Sequence, residues 1–212
     1  MATRFVHYIL AANSLAERNL SQEETLEYLS GTLLPDAAPF SAKKKTHFNR
    51  LHWGVGGDRR SMEKVLVDLP LLMRRGWEFH LDLDRLWQSV CFLPNLYRLP
   101  GLLLRYGGQI GKKYYEELSD FDLCVRERLP QERLTQFVTV LDELEKYPLP
   151  THEWIDPAEW HSFLTLIRGD FTKARKYHGP PFVGERSFKR FYKIGERVGE
   201  VSVNTIKEDS LP

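Results

Sequence analysis

His80 and Asp84 stand four residues apart in GWEFHLDLDRLW, Gly76 to Trp87, in a run otherwise suited to burial. On a helix, positions i and i+4 lie one above the other, so an imidazole and a carboxylate would share one patch of surface. Burying both without partners costs several kcal/mol. Either a hydrogen bond on the helix surface or a bound metal ion meets that cost. Imidazole nitrogen and carboxylate oxygen both reach zinc at about 2.0–2.2 Å, and successive helical turns bring them to the same ion.

Other residues able to join such a site are scattered. Seven histidines occur, and His52, His152, His161 and His178, read singly, are structural or exposed. His7 lies in the apolar stretch FVHYILAA beside Phe5 and Tyr8. Asp36 follows Pro35, where it either projects from a helix end toward a site or serves as a turn residue. His47 follows the lysine run Lys43, Lys44 and Lys45, which either attracts an anionic phosphate or forms a solvated loop. Trp77 and Trp87 flank the helical pair and are expected in the core. Asp120 and Asp122 are expected to be exposed or capping, with second place given to supporting a ligand histidine.

The elements that must position these groups are helical. Residues 5–18 carry apolar positions at helical spacing, and Ser21 with Glu24 fits a capping box opening a helix that Pro35 should stop. From Pro35 to Arg60 the prolines, glycines and lysines predict a long loop, a kind often functional. Helical periodicity returns at Ser61, with Pro70 dividing or kinking it. LPNLYRLPGLLLRYGGQIGKKYY, with two prolines and several glycines, reads as a mobile connection or lid. Two amphipathic helices follow, then one with Asp156 as N-cap and Pro157 in its first turn. A last basic helix, RSFKRFYKIGERVGEV, leads to a polar tail expected to be disordered from residue 201. No alternating strand pattern and no repeat appear, so the expectation is all-α, one multi-helix domain over residues 1–200.

Composition narrows the function classes. The 212 residues are 42% hydrophobic and 28% charged with a formal net charge of +1, which gives no strong signal for nucleic acid bound by bulk charge. Two cysteines, Cys91 and Cys124, are too few for a disulfide framework or a thiolate zinc site. MATRFVHYIL lacks the features of a signal peptide, and no run approaches the length of a transmembrane span, so a cytoplasmic protein is expected.

The order of the pieces carries a resemblance. A helical His7, then G-T-L-L-P-D (Gly31 to Asp36), then T-H-F around His47, then G-W-x-x-H-x-x-x-D-x-x-W resembles the zinc-dependent phospholipase C-like family. The likeness spans roughly Phe5 to Trp87, and more weakly YYEELSDFDL. It implies the all-α fold that this family shares with zinc-dependent single-strand nucleases. It also implies one or two zinc ions, or another divalent transition metal, held by Asp36, His47, His80 and Asp84. Asp84 would be the residue activity depends on, bridging to a second ion that uses His7. The implied activity is hydrolysis of a phosphoester in a phosphorylated small molecule or lipid headgroup. Two features depart from the family. His7 lies several residues in from Met1, where the secreted members use a terminal amine. No histidine follows Asp84 until His152, so a further zinc site of those enzymes is expected to be missing. Two other classes compete: a helical scaffold or regulatory protein keeping a structural metal, and a protein whose basic C-terminal helix contacts a partner or membrane surface without any metal.

Overall fold

A computed structural model describes residues 3–16, 18–37, 67, 69–149, 157–172 and 181–209. The described residues form eight α-helices and no strand. They are α1 (Arg4–Leu15), α2 (Gln22–Ala37), α3 (Leu71–Trp87), α4 (Leu99–Tyr106), α5 (Ile110–Arg126), α6 (Gln131–Leu144), α7 (Pro157–Asp170) and α8 (Glu185–Asp209). A π turn, Gln88–Phe92, and a 3-10 helix, Leu93–Arg98, join α3 to α4, and a second 3-10 turn, Gly107–Gln109, joins α4 to α5.

One core draws side chains from every helix. α1 is its axis: Phe5, Val6, Tyr8, Ile9, Leu10 and Ala11 are all buried, as expected of a helix apolar on every side. Its first turn is fixed from outside. Thr3 accepts the Val6 N–H as N-cap, and its hydroxyl donates to Asp122 of α5, which is buried. Arg4 adds a two-pronged ion pair to buried Asp170 of α7. Asp122 is therefore not exposed; it anchors the start of the helix that carries His7.

α2 and α3 form the closest helix pair. A Cβ on Gly31 would lie 1.9 Å from the Met73 carbonyl oxygen, and one on Gly76 would lie 2.0 Å from that of Tyr28. Only hydrogen fits at either crossing point, so the two backbones touch directly. Pro70 precedes α3 and supplies no side-chain cap; Glu27 of α2 accepts the N–H groups of Leu72 and Met73 instead. The Ser21–Glu24 capping box forms as the spacing predicts.

Three expectations change. Pro35 does not stop α2, which continues through Ala37: in the last turn proline sacrifices only its bond to the Gly31 carbonyl. The stretch read as a lid is helical, because Pro94 and Pro100 each fall in the first turn of a new helix, where their missing N–H is no loss. Helix α8 continues to Asp209 rather than giving way to a tail at residue 201. Among the described residues no helix is long and apolar enough to cross a membrane. Cys91 and Cys124 are free thiols.

Candidate metal centre

His7 on α1, His80 and Asp84 on α3, and Asp36 at the end of α2 meet where the three helices converge. His7 and His80 are fully buried and Asp84 nearly so, at 0%, 0% and 7% exposure. The imidazole rings lie 3.9 Å apart between centroids, tilted by 39°. One donor atom from each of His7, His80 and Asp84 can be chosen so that all lie within 4.8 Å of one another.

The ring nitrogens have divided roles. His80 Nδ1 lies 2.8 Å from the Thr32 carbonyl oxygen. A carbonyl only accepts, so Nδ1 carries the proton and Nε2 faces Asp84 Oδ2 at 3.7 Å. His7 Nδ1 donates to Asp36 Oδ2 at 3.0 Å, and its Nε2 faces Asp84 Oδ1 at 3.5 Å. His7 Nε2 is fully buried and makes no hydrogen bond. Both histidines thus commit Nδ1 to an oxygen acceptor and turn Nε2 toward the same carboxylate. Metal-ligating imidazoles are held in this way, the outer acceptor fixing the tautomer and raising the basicity of the inner nitrogen.

The spacing suits a small cation. Donors at about 2.05 Å from a tetrahedral ion lie about 3.4 Å from one another. The two nitrogen–carboxylate separations, 3.5 Å from His7 to Oδ1 and 3.7 Å from His80 to Oδ2 of Asp84, are within a few tenths of an ångström of that value, each imidazole facing its own oxygen of the one carboxylate.

Electrostatics point the same way. Burial would lower the basicity of His7, but the hydrogen bond to Asp36 and the negative charge of Asp36 and Asp84 outweigh it and raise its pKa to about 9. Burial opposes ionisation of Asp84, yet His7 and His80 facing its two oxygens hold its pKa below the usual carboxylate value. Without a metal the centre therefore holds a proton on His7, between two carboxylates. A divalent ion replacing that proton, with both imidazoles neutral, would balance Asp36 and Asp84 and leave the buried centre without net charge.

The sequence-predicted residues are regrouped. His7, which the resemblance implies at a second ion, lies beside the helical pair. Asp36 is bound to the far side of the His7 ring, so the three-donor group contains His7 in the place expected for Asp36. His47 and Lys43, Lys44 and Lys45 lie outside the described residues. Trp77 and Trp87 are buried, as expected, and Trp87 Nε1 donates to the Tyr114 hydroxyl. Sequence reasoning missed the Thr32 carbonyl, which no side-chain pattern marks, and the pair Gly31 and Gly76, whose placement inside helices was the available signal. A surface groove between α3 and α8, bordered by Arg75, Glu78, Asp82 and Arg197, contains none of the cluster residues. No protein-family model, curated protein or solved structure matches the chain.

Proposed function

We propose that this protein is a metal-dependent hydrolase of phosphoesters, with His7, His80 and Asp84 holding the ion and zinc the first candidate. The observation that carries the reading is the buried, unbonded Nε2 of His7, aimed with His80 at one carboxylate. Three protein donors of the N/O type are the set that hydrolytic zinc sites use, the remaining position being left for water or substrate. A bound ion there supplies Lewis-acid polarisation of a phosphoryl oxygen and makes water more acidic. The chain's own part is to hold the donors rigid: Thr32 fixes the His80 ring, and Asp36 fixes the His7 ring and strengthens its donor nitrogen. The resemblance of the His7, Asp36, His47, His80 and Asp84 order to zinc-dependent phospholipase C supports a phosphorylated small molecule or lipid headgroup as substrate. One or two ions per chain fit this proposal.

A structural metal is the second reading, favoured by the complete burial of both histidines. Hydrolysis of nitrophenyl phosphate and of its phosphocholine ester by zinc-loaded protein separates the two. The proposal expects slow, chelator-sensitive turnover that Asp84→Asn abolishes. Metal-loaded protein inert on both mono- and diesters would leave the structural reading.

A further inference from the structure

The stretch from Gln88 to Tyr115 concentrates features that neither the core nor the metal centre uses. Leu93, Leu96, Tyr97, Leu103, Leu104 and Tyr115 are exposed there, Leu104 at 91% and Tyr97 at 72%, and they make up most of the exposed large apolar residues of the described chain. Every charged residue in the stretch is basic: Arg98, Arg105, Lys112 and Lys113. The remainder of the chain is therefore net negative, and this segment is a local cationic surface on a nearly neutral protein. Lys113 pairs with Glu116 of α5, whereas Arg105 and Lys112 form no salt bridge among the described residues. Arg105 lies over the Tyr106 ring at 5.6 Å, which keeps this exposed cation beside an aromatic ring, whereas Arg98, over Tyr97 at 5.4 Å, is half-buried and donates to the carbonyl oxygens of Pro181 and Phe182. A Cβ on Gly101, Gly107, Gly108 or Gly111 would meet nothing within 4 Å, so this surface is bare around its side chains as well.

From this combination we infer that the α4 region, residues 93–115, docks on an anionic phospholipid surface. Exposed leucines carry apolar area to the acyl boundary, tyrosines suit the headgroup layer, and unpaired basic residues meet the negative surface potential. The absence of any acidic side chain from Gln88 to Tyr115 is the charge complementarity that selects a lipid surface over a second copy of this chain, which would bring the same positive charges face to face. Leu103 and Leu104, adjacent and apolar, are poor groups for a nucleic-acid backbone. The assignment stands on this surface and does not depend on the metal centre.

The test is co-sedimentation of the full-length protein with vesicles of phosphatidylcholine alone and with about one quarter phosphatidylglycerol. Wild-type protein is expected to sediment with the anionic vesicles, to be released by salt, and to stay in solution with the neutral ones. Arg105→Glu with Lys112→Glu should lower the partition coefficient about tenfold or more, since each basic residue near such a surface contributes about fivefold. Leu103→Glu with Leu104→Glu should abolish sedimentation. Both double variants should keep the wild-type circular dichroism and melting temperature, because the altered side chains are exposed. Wild-type protein that ignores anionic vesicles, or variants that sediment like wild type, would overturn the assignment. So would sedimentation velocity showing a dimer that the leucine variant dissolves, with no vesicle binding.

Discussion

Gly76→Ala tests whether the contact between α2 and α3 builds the centre. The new Cβ would sit 2.0 Å from the Tyr28 carbonyl oxygen and 2.8 Å from the Thr32 amide nitrogen. Both neighbours are backbone, so no flexible side chain can yield, and the helices must separate by about 1 Å or more in a close-packed interior. The His80 bond to Thr32, 2.8 Å in the native structure, then exceeds hydrogen-bonding length. Overpacking costs about 1–3 kcal/mol and the stranded buried donor about 1–3 more. Against this, alanine gains about 1 kcal/mol over glycine inside a helix. The net loss is about 3 kcal/mol, or roughly 6–12 °C in melting temperature for a chain of this size. Thermal and urea unfolding of the metal-free protein measure it, and zinc titration should show weakened binding because His80 loses its anchor. Gly169→Ala is the control: its Cβ meets nothing within 4 Å, so the same exchange in α7 should be neutral or stabilising by up to about 1 kcal/mol. Gly76→Ala melting at or above wild type, with unchanged zinc affinity, would refute the reasoning.

Asp36→Asn keeps the size of the side chain but removes the charge behind His7, and should weaken zinc binding about 10–100-fold while leaving the fold intact; equilibrium dialysis at fixed pH reads this directly. The metal-free protein should lose stability as pH rises. The pKa of His7 is 6.5 unfolded and about 9 folded, so its contribution is fully present below pH 6.5 and gone above pH 9. That interval corresponds to about 3 kcal/mol, and urea midpoints measured across it should fall, a trend that His7→Gln removes. The lowered Asp84 value acts at the other end, its contribution vanishing as pH drops below the ordinary carboxylate range. Glu117 accepts the N–H groups of Phe182, Val183 and Gly184 just before α8. Glu117→Ala should therefore cost about 3 kcal/mol by leaving those donors buried and unpaired, visible as faster hydrogen exchange at the start of α8; exchange equal to wild type would count against it.

The helical pair was legible because i, i+4 spacing needs nothing beyond the helix that carries it. The position of α1 was also readable in outline, since FVHYILAA is apolar on every side and such a helix belongs inside. What that stretch could not tell is which neighbours His7 would meet, because the contact joins residues far apart in the chain. Direct ligation by Asp36 is what the family resemblance implies; from the last turn of α2, which continues past Pro35, Asp36 reaches His7 Nδ1. Glu27 illustrates the same limit, since its partners are backbone amides of another helix and no sequence pattern marks them. In the segment from Leu93 to Tyr115, proline and glycine suggest breaks, yet the chain there is helical. Its prolines begin helices, and only Gly107, at φ 50°, occupies a backbone conformation that favours glycine.

Whether His7, His80 and Asp84 form one metal centre is tested most directly by zinc binding in isothermal titration calorimetry, in two buffers of different ionisation enthalpy, with metal content checked by plasma emission. Expected are about one zinc per chain in the three-donor centre, release of roughly one proton near pH 7.5 as the ion replaces the one on His7, and loss of both signals in His80→Ala and Asp84→Asn. A chain that takes up no zinc, or that binds it equally well without His80 and Asp84, would contradict it.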